Sequence, residues 1–234
     1  MSAATALPFS LLMRAAPIAV IGCAVSGLVG GTFYSLVPAW MQDKSIEQST
    51  IALFMLTVVL CGFGFQVPVG HLSDRFDRRA VLACLGLGFV VTASVMVVLP
   101  RSLLAILPAA ALLGGFMSTL YPVCVAHAHD RMPADRVVAV SSRLILLSGI
   151  GSVLGPVIGA SLMAHFEIDG VLYFMAVVVV VLSLVAGLGS VTTLQPMQMK
   201  PTFDILVPLQ AGPLAHDPGG IFDEFSPQGV TDAE

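Results

Sequence analysis

The sequence predicts an all-α membrane protein with six transmembrane helices. Of its 234 residues, 57% are hydrophobic and only 10% are charged, and the mean hydropathy is +0.96. Soluble domains carry roughly 25% charged residues, so this chain has too few charges to cover a surface that faces water. Six stretches approach the ~20 apolar residues that a helix needs to cross a bilayer. These observations exclude a soluble globular enzyme and a disordered chain.

Short charged or proline-containing breaks separate the six predicted spans. Helices are expected rather than strands, because the apolar runs lack alternation and backbone groups in lipid must be bonded within the segment. The predicted spans cover residues 17–40, 50–70, 80–99, 103–124, 138–163 and 170–189. They lie in a transmembrane domain of residues 17–192, which follows a linker-like segment, 1–16. Residues 193–234 are acidic and rich in proline, which predicts a disordered cytoplasmic tail or, alternatively, a docking segment for a partner.

Positive charge predicts that both termini are cytoplasmic. With the N-terminus inside, the cytoplasmic segments hold all of the ten Lys and Arg residues except Lys44 and Arg101. Trp40, at the outer end of the first span, suits an interfacial anchor. Ser45 and Gln48 have capping-box spacing for the helix that follows.

A charged motif joins the second and third spans. Residues 70–79 contain Gly70, Asp74, Arg75, Arg78 and Arg79 in the pattern G-x-x-x-D-R-x-x-R-R. The glycine would let a neighbouring helix approach closely. The aspartate could face the positive end of an adjacent helix, and the arginines would hold the segment at the anionic cytoplasmic surface. We interpret the segment as a cytoplasmic gating loop, a latch that breaks and re-forms; the alternative is a stop-transfer charge cluster.

This motif resembles the signature loop of the major facilitator superfamily, whose usual form is G-x-L-[AS]-D-R-x-G-R-R. The matching residues are Gly70, Leu72, Ser73, Asp74, Arg75, Arg78 and Arg79. Asp77 replaces the second glycine. The resemblance covers about residues 11–192 and implies half of a twelve-helix fold, with the six helices arranged as two three-helix repeats. Strings at 34–38, 51–54 and 121–130 resemble the C-terminal half of a bacterial drug-transporter-like subfamily.

The fifth span carries a second motif of small residues. Gly151, Gly155 and Gly159 would share one helix face and allow tight packing, and Pro156 could bend the helix. The pattern resembles the glycine-proline motif of the superfamily, which is associated with exporters of the antiporter type. A packing seam that says nothing about direction is the alternative. Because the motif is best known from the N-terminal half, assignment of this chain to that half stays open.

The resemblance also implies that the first and fourth spans line a central cavity. The candidate cavity-lining residues are Ser26, Thr32, Tyr34, Ser35, Ser118, Thr119 and Tyr121. Hydrogen bonds between helices are the alternative role for these side chains. No Asp or Glu lies within a predicted span, so the sequence identifies no proton carrier. We expect no metal site, since His127 and His129 do not share a helix face.

The sequence therefore predicts a multi-pass transporter of a bacterial inner membrane. It would move a small molecule by alternating access, with proton-coupled efflux as one form, and it is not expected to be an enzyme. The expected partners are membrane lipid, an unidentified substrate and a second six-helix half, either another segment or a homodimer partner; no nucleic acid and no cofactor are expected. A truncated or assembly-partner membrane protein without transport is the alternative. Asp74→Asn or Arg75→Ala is expected to impair transport without abolishing insertion.

Overall fold

The described part of the chain is built from helices. The computed structural model describes residues 9–100, 102–132, 136–165 and 169–192, with the backbone alone for 189–192. In these ranges the helices are α1 (Phe9–Ala15), α2 (Pro17–Asp43), α3 (Gln48–Arg75), α4 (Arg78–Val98), α5 (Leu103–His129), α6 (Val137–His165) and α7 (Gly170–Thr192). Among them, α2 to α7 are long and apolar enough to cross a membrane. The predicted all-α architecture with six spans is confirmed.

Part of the predicted linker-like segment is helical and packed. Leu12 of α1 is fully buried in a cluster with Ile18 and Val20 of α2. Pro17 opens α2, a position where the missing N–H costs no helical hydrogen bond. Residues 1–8 and the predicted tail, 193–234, lie outside the described residues.

The charged motif between α3 and α4 is mostly helical. Because α3 continues to Arg75 and α4 begins at Arg78, only Phe76 and Asp77 lie between the two helices. The carboxylate of Asp77 accepts a hydrogen bond from the backbone N–H of Arg79 at 3.0 Å and caps α4. No glycine or proline in residues 71–75 ends α3 early. The prediction of a loop across residues 70–79 is corrected accordingly.

The turn between α2 and α3 also differs from the prediction. Glu47 precedes the first residue of α3 as its N-cap, and no side chain makes a capping hydrogen bond there. Ser45 instead adopts a left-handed backbone conformation with φ 59°. The capping box expected from Ser45 and Gln48 does not form.

The long helices pack as two interleaved three-helix units. In the described residues, α2 packs mainly against α6, α3 against α5, and α4 against α7, while α2 also meets α5. Exchanging α2–α3–α4 with α5–α6–α7 converts the α2–α6 pair into the α5–α3 pair and leaves the α4–α7 and α2–α5 pairs unchanged. The contacts therefore have the symmetry of the two predicted three-helix repeats.

Glycines bring α2 and α6 into backbone contact. Gly27 and Gly31 of α2 lie against the backbone of Ser148 and Ser152 of α6, and a β-carbon at either glycine would overlap that backbone. Gly151 of α6 lies against the backbone of α2 in the same way. Close approach of this kind is how membrane helices associate where hydrophobicity gives no preference for protein over lipid.

The α3–α5 seam repeats the geometry of the α2–α6 seam. A β-carbon at Gly62 of α3 would meet the carbonyl of Gly114 and the hydroxyl of Ser118, which lie one turn apart on α5. A β-carbon at Gly155 of α6 would likewise meet a carbonyl of α2 and, one turn on, the hydroxyl of Thr32. The two seams are thus equivalent down to the groups that face each glycine.

The loops gather at two ends of the bundle. The α3–α4 turn and the α5–α6 connection lie at one end, which we call the arginine-rich end. The α2–α3 and α6–α7 connections lie at the other, which we call the Trp40 end. One hydrophobic cluster, with Leu82, Leu120 and Leu144, fills the bundle near the arginine-rich end, and a second, with Phe33 and Phe54, fills it near the Trp40 end.

Candidate functional site

A polar groove opens between α2, α5 and α6, near the middle of each helix. Its volume is about 370 Å³, within the range of roughly 300–1,000 Å³ for small-molecule sites. Three helices supply its lining: Ser26, Gly27, Gly30, Gly31, Tyr34 and Ser35 of α2, Met117, Ser118 and Tyr121 of α5, and Ser148 and Ser152 of α6. The position of the groove follows from the glycine seam, since the groove runs beside the line where α2 and α6 touch.

Most hydroxyls in the groove have no protein partner. Ser26 donates to the carbonyl of Cys23 at 2.9 Å, and Ser152 donates to the carbonyl of Ser148 at 3.0 Å. Within the described part of the chain, no hydrogen bond is made by the hydroxyls of Ser35, Ser118, Ser148, Tyr34 and Tyr121. Unpaired hydroxyls that converge on one space can bind a solute.

Gly30 gives the groove its depth on the α2 side. A β-carbon at Gly30 would have no atom within 4 Å in the described structure, whereas one at Gly31 would overlap α6. Next to Gly30, the Tyr34 side chain is half exposed, and its ring lies edge-on to that of Phe33 at 5.4 Å between centroids. The groove therefore combines an open floor with a positioned aromatic ring.

Two of the seven candidate cavity-lining residues lie elsewhere. Thr32 is buried on the α6 side of α2, where its hydroxyl donates to the carbonyl of Leu28 at 2.8 Å. Thr119 is buried and lies within hydrogen-bonding distance of the carbonyls of Gly115 and Phe116, at 2.9 and 3.0 Å. Both threonines satisfy their hydroxyls within their own helix, as is common for Thr in membrane helices. The other five candidates border the groove.

Arg78 ties three helices together at the arginine-rich end. From the start of α4, its guanidinium contacts Asp74 of α3 at 3.1 Å and Asp130, after α5, at 2.5 Å. A third contact, to the hydroxyl of Ser73 at 3.2 Å, reaches the buried side of α3. Asp74 pairs with Arg78 and does not cap a helix, since Asp77 occupies the N-cap of α4. Arg78 is the member of the predicted motif that joins the helices.

A second group of charges surrounds Arg78. Arg79 is buried. Burial and the positive charge of Arg79 lower the pKa of Arg131, while Asp77 and Asp130 act in the opposite direction. These residues form a compact cluster in which each arginine has a carboxylate nearby. Such a cluster resists separation of α4 from α5.

The other two residues of the predicted loop are placed differently. Arg75 is exposed and makes no ion pair with a described residue. A β-carbon at Gly70 would have no neighbour within 4 Å in the described chain. Any close approach at Gly70 must therefore involve a surface other than these six helices.

An ion-pair clamp closes the Trp40 end. The indole N–H of Trp40 donates to Asp169 Oδ1 at 2.7 Å, and Lys44 Nζ lies 2.9 Å from the same oxygen. Burial raises the pKa of Asp169, but the hydrogen bonds from Trp40 and Lys44 and the charge of Lys44 outweigh it, so that the pKa lies below its ordinary value. Trp40 is buried, which corrects its prediction as an interfacial anchor: its polar atom binds protein at the start of α7.

A comparison with known families decides the identity of this fold. Residues 19–208 match the model of the Major Facilitator Superfamily. The chain belongs to the major facilitator superfamily. The predicted resemblance is confirmed, and the bacterial relatives and the long apolar helices together indicate a multi-pass protein of the inner membrane.

Superfamily relatives from enteric bacteria match most of the chain. The uncharacterised transporter YcaD of Escherichia fergusonii is 36% identical over 171 residues, which is 73% of this chain and 44% of that protein. YcaD of Escherichia coli O7:K1 is 36% identical over 172 residues, or 74% and 44%. YcaD of Shigella flexneri serotype 5b is 35% identical over 171 residues, again 73% and 44%. The chain spans less than half the length of these relatives.

Some residues of the superfamily site escaped the sequence analysis. Ser148 and Ser152 border the groove from α6, one turn apart, but the small residues of this span drew attention only as a packing motif. Three of those, Gly151, Gly155 and Gly159, do face α2 in the structure. A helical projection of the span would have placed the two serines next to the glycine face. No local signal pairs Asp130 with Arg78 or Asp169 with Trp40.

Proposed function

We propose that this chain forms one six-helix half of a secondary transporter that moves a small molecule across the inner membrane by alternating access. The convergence of unpartnered hydroxyls from α2, α5 and α6 on one groove carries this proposal. A polar space of this size is costly in the middle of a membrane bundle unless a solute or water occupies it. The groove would form this half's wall of the central cavity.

A second six-helix half would complete the cavity. The relatives are more than twice as long as the matched segment, and apolar side chains are exposed along α3, among them Leu60, Phe63 and Val67. Either another segment of the same gene product or a second copy of this chain would supply the missing half. We propose the C-terminal half for this chain on the strings at 34–38, 51–54 and 121–130, and the N-terminal half is the alternative that the glycine-proline motif favours.

We place the arginine-rich end in the cytoplasm. Seven described arginines lie at or near that end, and Lys44 lies at the Trp40 end. Positive residues concentrate on the cytoplasmic side of bacterial membrane proteins. The Arg78 cluster would then act as a cytoplasmic latch, holding α3, α4 and α5 together in one state, and Asp74 would be one of its two acidic partners.

Proton coupling would need a group outside the described spans' interiors. Asp and Glu residues of the described helices lie at helix ends, as Asp43 and Asp74 do, and not beside the groove. Proton-coupled transport commonly uses an intramembrane carboxylate. We therefore propose that a proton carrier, if the transporter uses one, belongs to the other half.

The test compares two variants that add the same side chain at open glycines. The natural gene product is expressed as wild type, Gly30→Leu and Gly187→Leu, since neither glycine has a neighbour within 4 Å of an added β-carbon. Metabolites inside and outside the cells are then measured by mass spectrometry. We expect at least one compound whose distribution depends on the wild type, is unchanged in Gly187→Leu and reverts in Gly30→Leu. A Gly30→Leu variant with full transport would remove the groove from the pathway.

The size of the natural product decides how the second half is supplied. An immunoblot of source membranes with an antibody to residues 193–234 would show a band near 24.4 kDa for a half-size protein. A band near twice that mass after full denaturation would place both halves in one chain. The first result directs the next experiment to dimerisation, and the second directs it to the complete transporter.

A further inference from the structure

The groove differs from the ends of the bundle in having no formal charge. Among the described residues that line it, the polar ones are serines and tyrosines, and Met117 is the largest apolar one. The charged clusters around Arg78 and Asp169 lie at opposite ends of the helices, away from the groove. An ion bound at this wall would find no counter-charge there, and an unpaired charge in the middle of a membrane is disfavoured by roughly 100-fold or more.

The hydroxyls can serve either side of a hydrogen bond. A serine or tyrosine hydroxyl donates one proton and accepts through its lone pairs. Ser35, Ser118 and Ser148 keep both capacities, whereas Ser26 and Ser152 have used their protons within the protein and can only accept. The wall is therefore matched to a solute with both donors and acceptors, such as hydroxyl or amide groups.

The rest of the lining is apolar and flat. The rings of Tyr34 and Tyr121 and the thioether of Met117 border the groove, and the open position at Gly30 leaves room beside them. Aromatic rings and methionine make favourable contacts with apolar or ring-shaped ligands. A solute would thus present one polar edge to the serines and one apolar face to the tyrosines.

We propose that the groove binds an uncharged amphipathic molecule that carries hydroxyl or amide groups beside an apolar part, and that its wall discriminates against ions of either sign. This inference rests on the proposed function, since it assigns the class of substrate to the same cavity. It concerns the portion of the substrate that this half holds.

Thiol reagents that differ only in charge test the inference. The natural gene product carries Gly30→Cys, or Ser35→Cys as a second variant, in a background with Cys61→Ser and Cys84→Ser; the other two cysteines are buried. Each variant is treated in membranes with three methanethiosulfonates whose ends are hydroxyethyl, trimethylammonium ethyl or sulfonate ethyl. The rate of each reagent is divided by its own rate at Phe76→Cys, an exposed position between α3 and α4.

The corrected rates separate failure of the inference from failure of the proposed function. We expect the uncharged reagent to react at least about 10-fold faster than either ionic reagent at both groove positions, with the two ionic reagents similar to each other. A smaller preference, or a preference for one ion, would overturn the inference while leaving a solute-accessible groove. If no reagent modifies Gly30→Cys or Ser35→Cys while Phe76→Cys reacts, the groove is closed to solutes, and the proposed function falls with the inference.

Discussion

Two adjacent glycines on α2 provide the sharpest test of how the bundle is held together. Gly30 and Gly31 are neighbours in the same helix, and Gly→Ala is the same chemical change at both. Gly31 lies against the backbone of Ser152 on α6, whereas the position of a β-carbon at Gly30 is empty. We expect Gly31→Ala to destabilise the protein relative to Gly30→Ala.

The magnitude follows from the distance between the helices. A β-carbon at Gly31 would lie 2.7 Å from Ser152 Cα, and ordinary contact begins at 3.4 Å, so α2 and α6 would have to separate by 3.4 − 2.7 = 0.7 Å. Overpacking of this kind costs about 1–3 kcal/mol. Replacing glycine by alanine inside a helix also gains about 1 kcal/mol in propensity, but that gain is common to both variants and cancels. The difference in unfolding free energy between the two variants should thus be about 1–3 kcal/mol.

Thermal unfolding of the purified variants measures this difference. At roughly 2–4 °C per kcal/mol for a domain of this size, Gly31→Ala should unfold about 2–12 °C below Gly30→Ala. Circular dichroism at a helix wavelength, in one detergent and at one protein concentration, reports both values. Equal unfolding temperatures for the two variants would refute the argument that close backbone approach at Gly31 holds α2 to α6.

Three further predictions concern the ends of the bundle. Because its pKa is lowered by folding, the Asp169 carboxylate contributes stability that is present above the ordinary pKa of about 3.9 and is lost as the pH falls below it; Asp169→Asn should lower the unfolding temperature at pH 7 and flatten its fall in acid, and an unchanged acid profile would contradict the clamp with Lys44. Arg78→Ala should cost about 1 kcal/mol through its partly exposed ion pairs, against less than about 0.5 kcal/mol for Arg75→Ala; chemical unfolding of the two variants compares them, and equal losses would contradict the central place of Arg78. Ser45→Gly should stabilise the protein by about 0.5–1 kcal/mol by relieving a left-handed backbone; a lower unfolding temperature for this variant would show that the serine side chain matters more than its φ angle.

The span count follows from composition, but the pairing of spans does not. Long apolar runs between charged breaks are sufficient to predict α2 to α7, because a bilayer imposes one length on every helix. Lipid tails are as apolar as leucine, so hydrophobicity cannot indicate which face of a span meets protein. The information lies in small residues such as Gly27, Gly31 and Gly62, which acquire meaning only once the partner helix is known.

The contacts at the two ends were beyond the sequence for a different reason. Trp40 and Asp169 lie 129 residues apart, and Arg78 and Asp130 lie 52 apart. A single sequence carries no signal that joins side chains over such distances. Tyr34 could be placed in the groove from the superfamily resemblance, whereas Thr32, two residues earlier, turns away because helical geometry puts it on the α6 face.

The pairing of α2 with α6 has a consequence for biosynthesis. When α2 has left the ribosome, 93 residues still separate its last residue, Asp43, from Val137, the first residue of its main partner. At roughly 5–20 residues per second, this interval lasts about 5–20 s. During that time the glycines of α2 face lipid or a helper protein in place of the α6 backbone, and neither three-helix repeat can reach its final packing alone. The nascent chain therefore passes through a stage in which inserted helices await partners not yet made, and quality-control proteases of the membrane have that long to act on it.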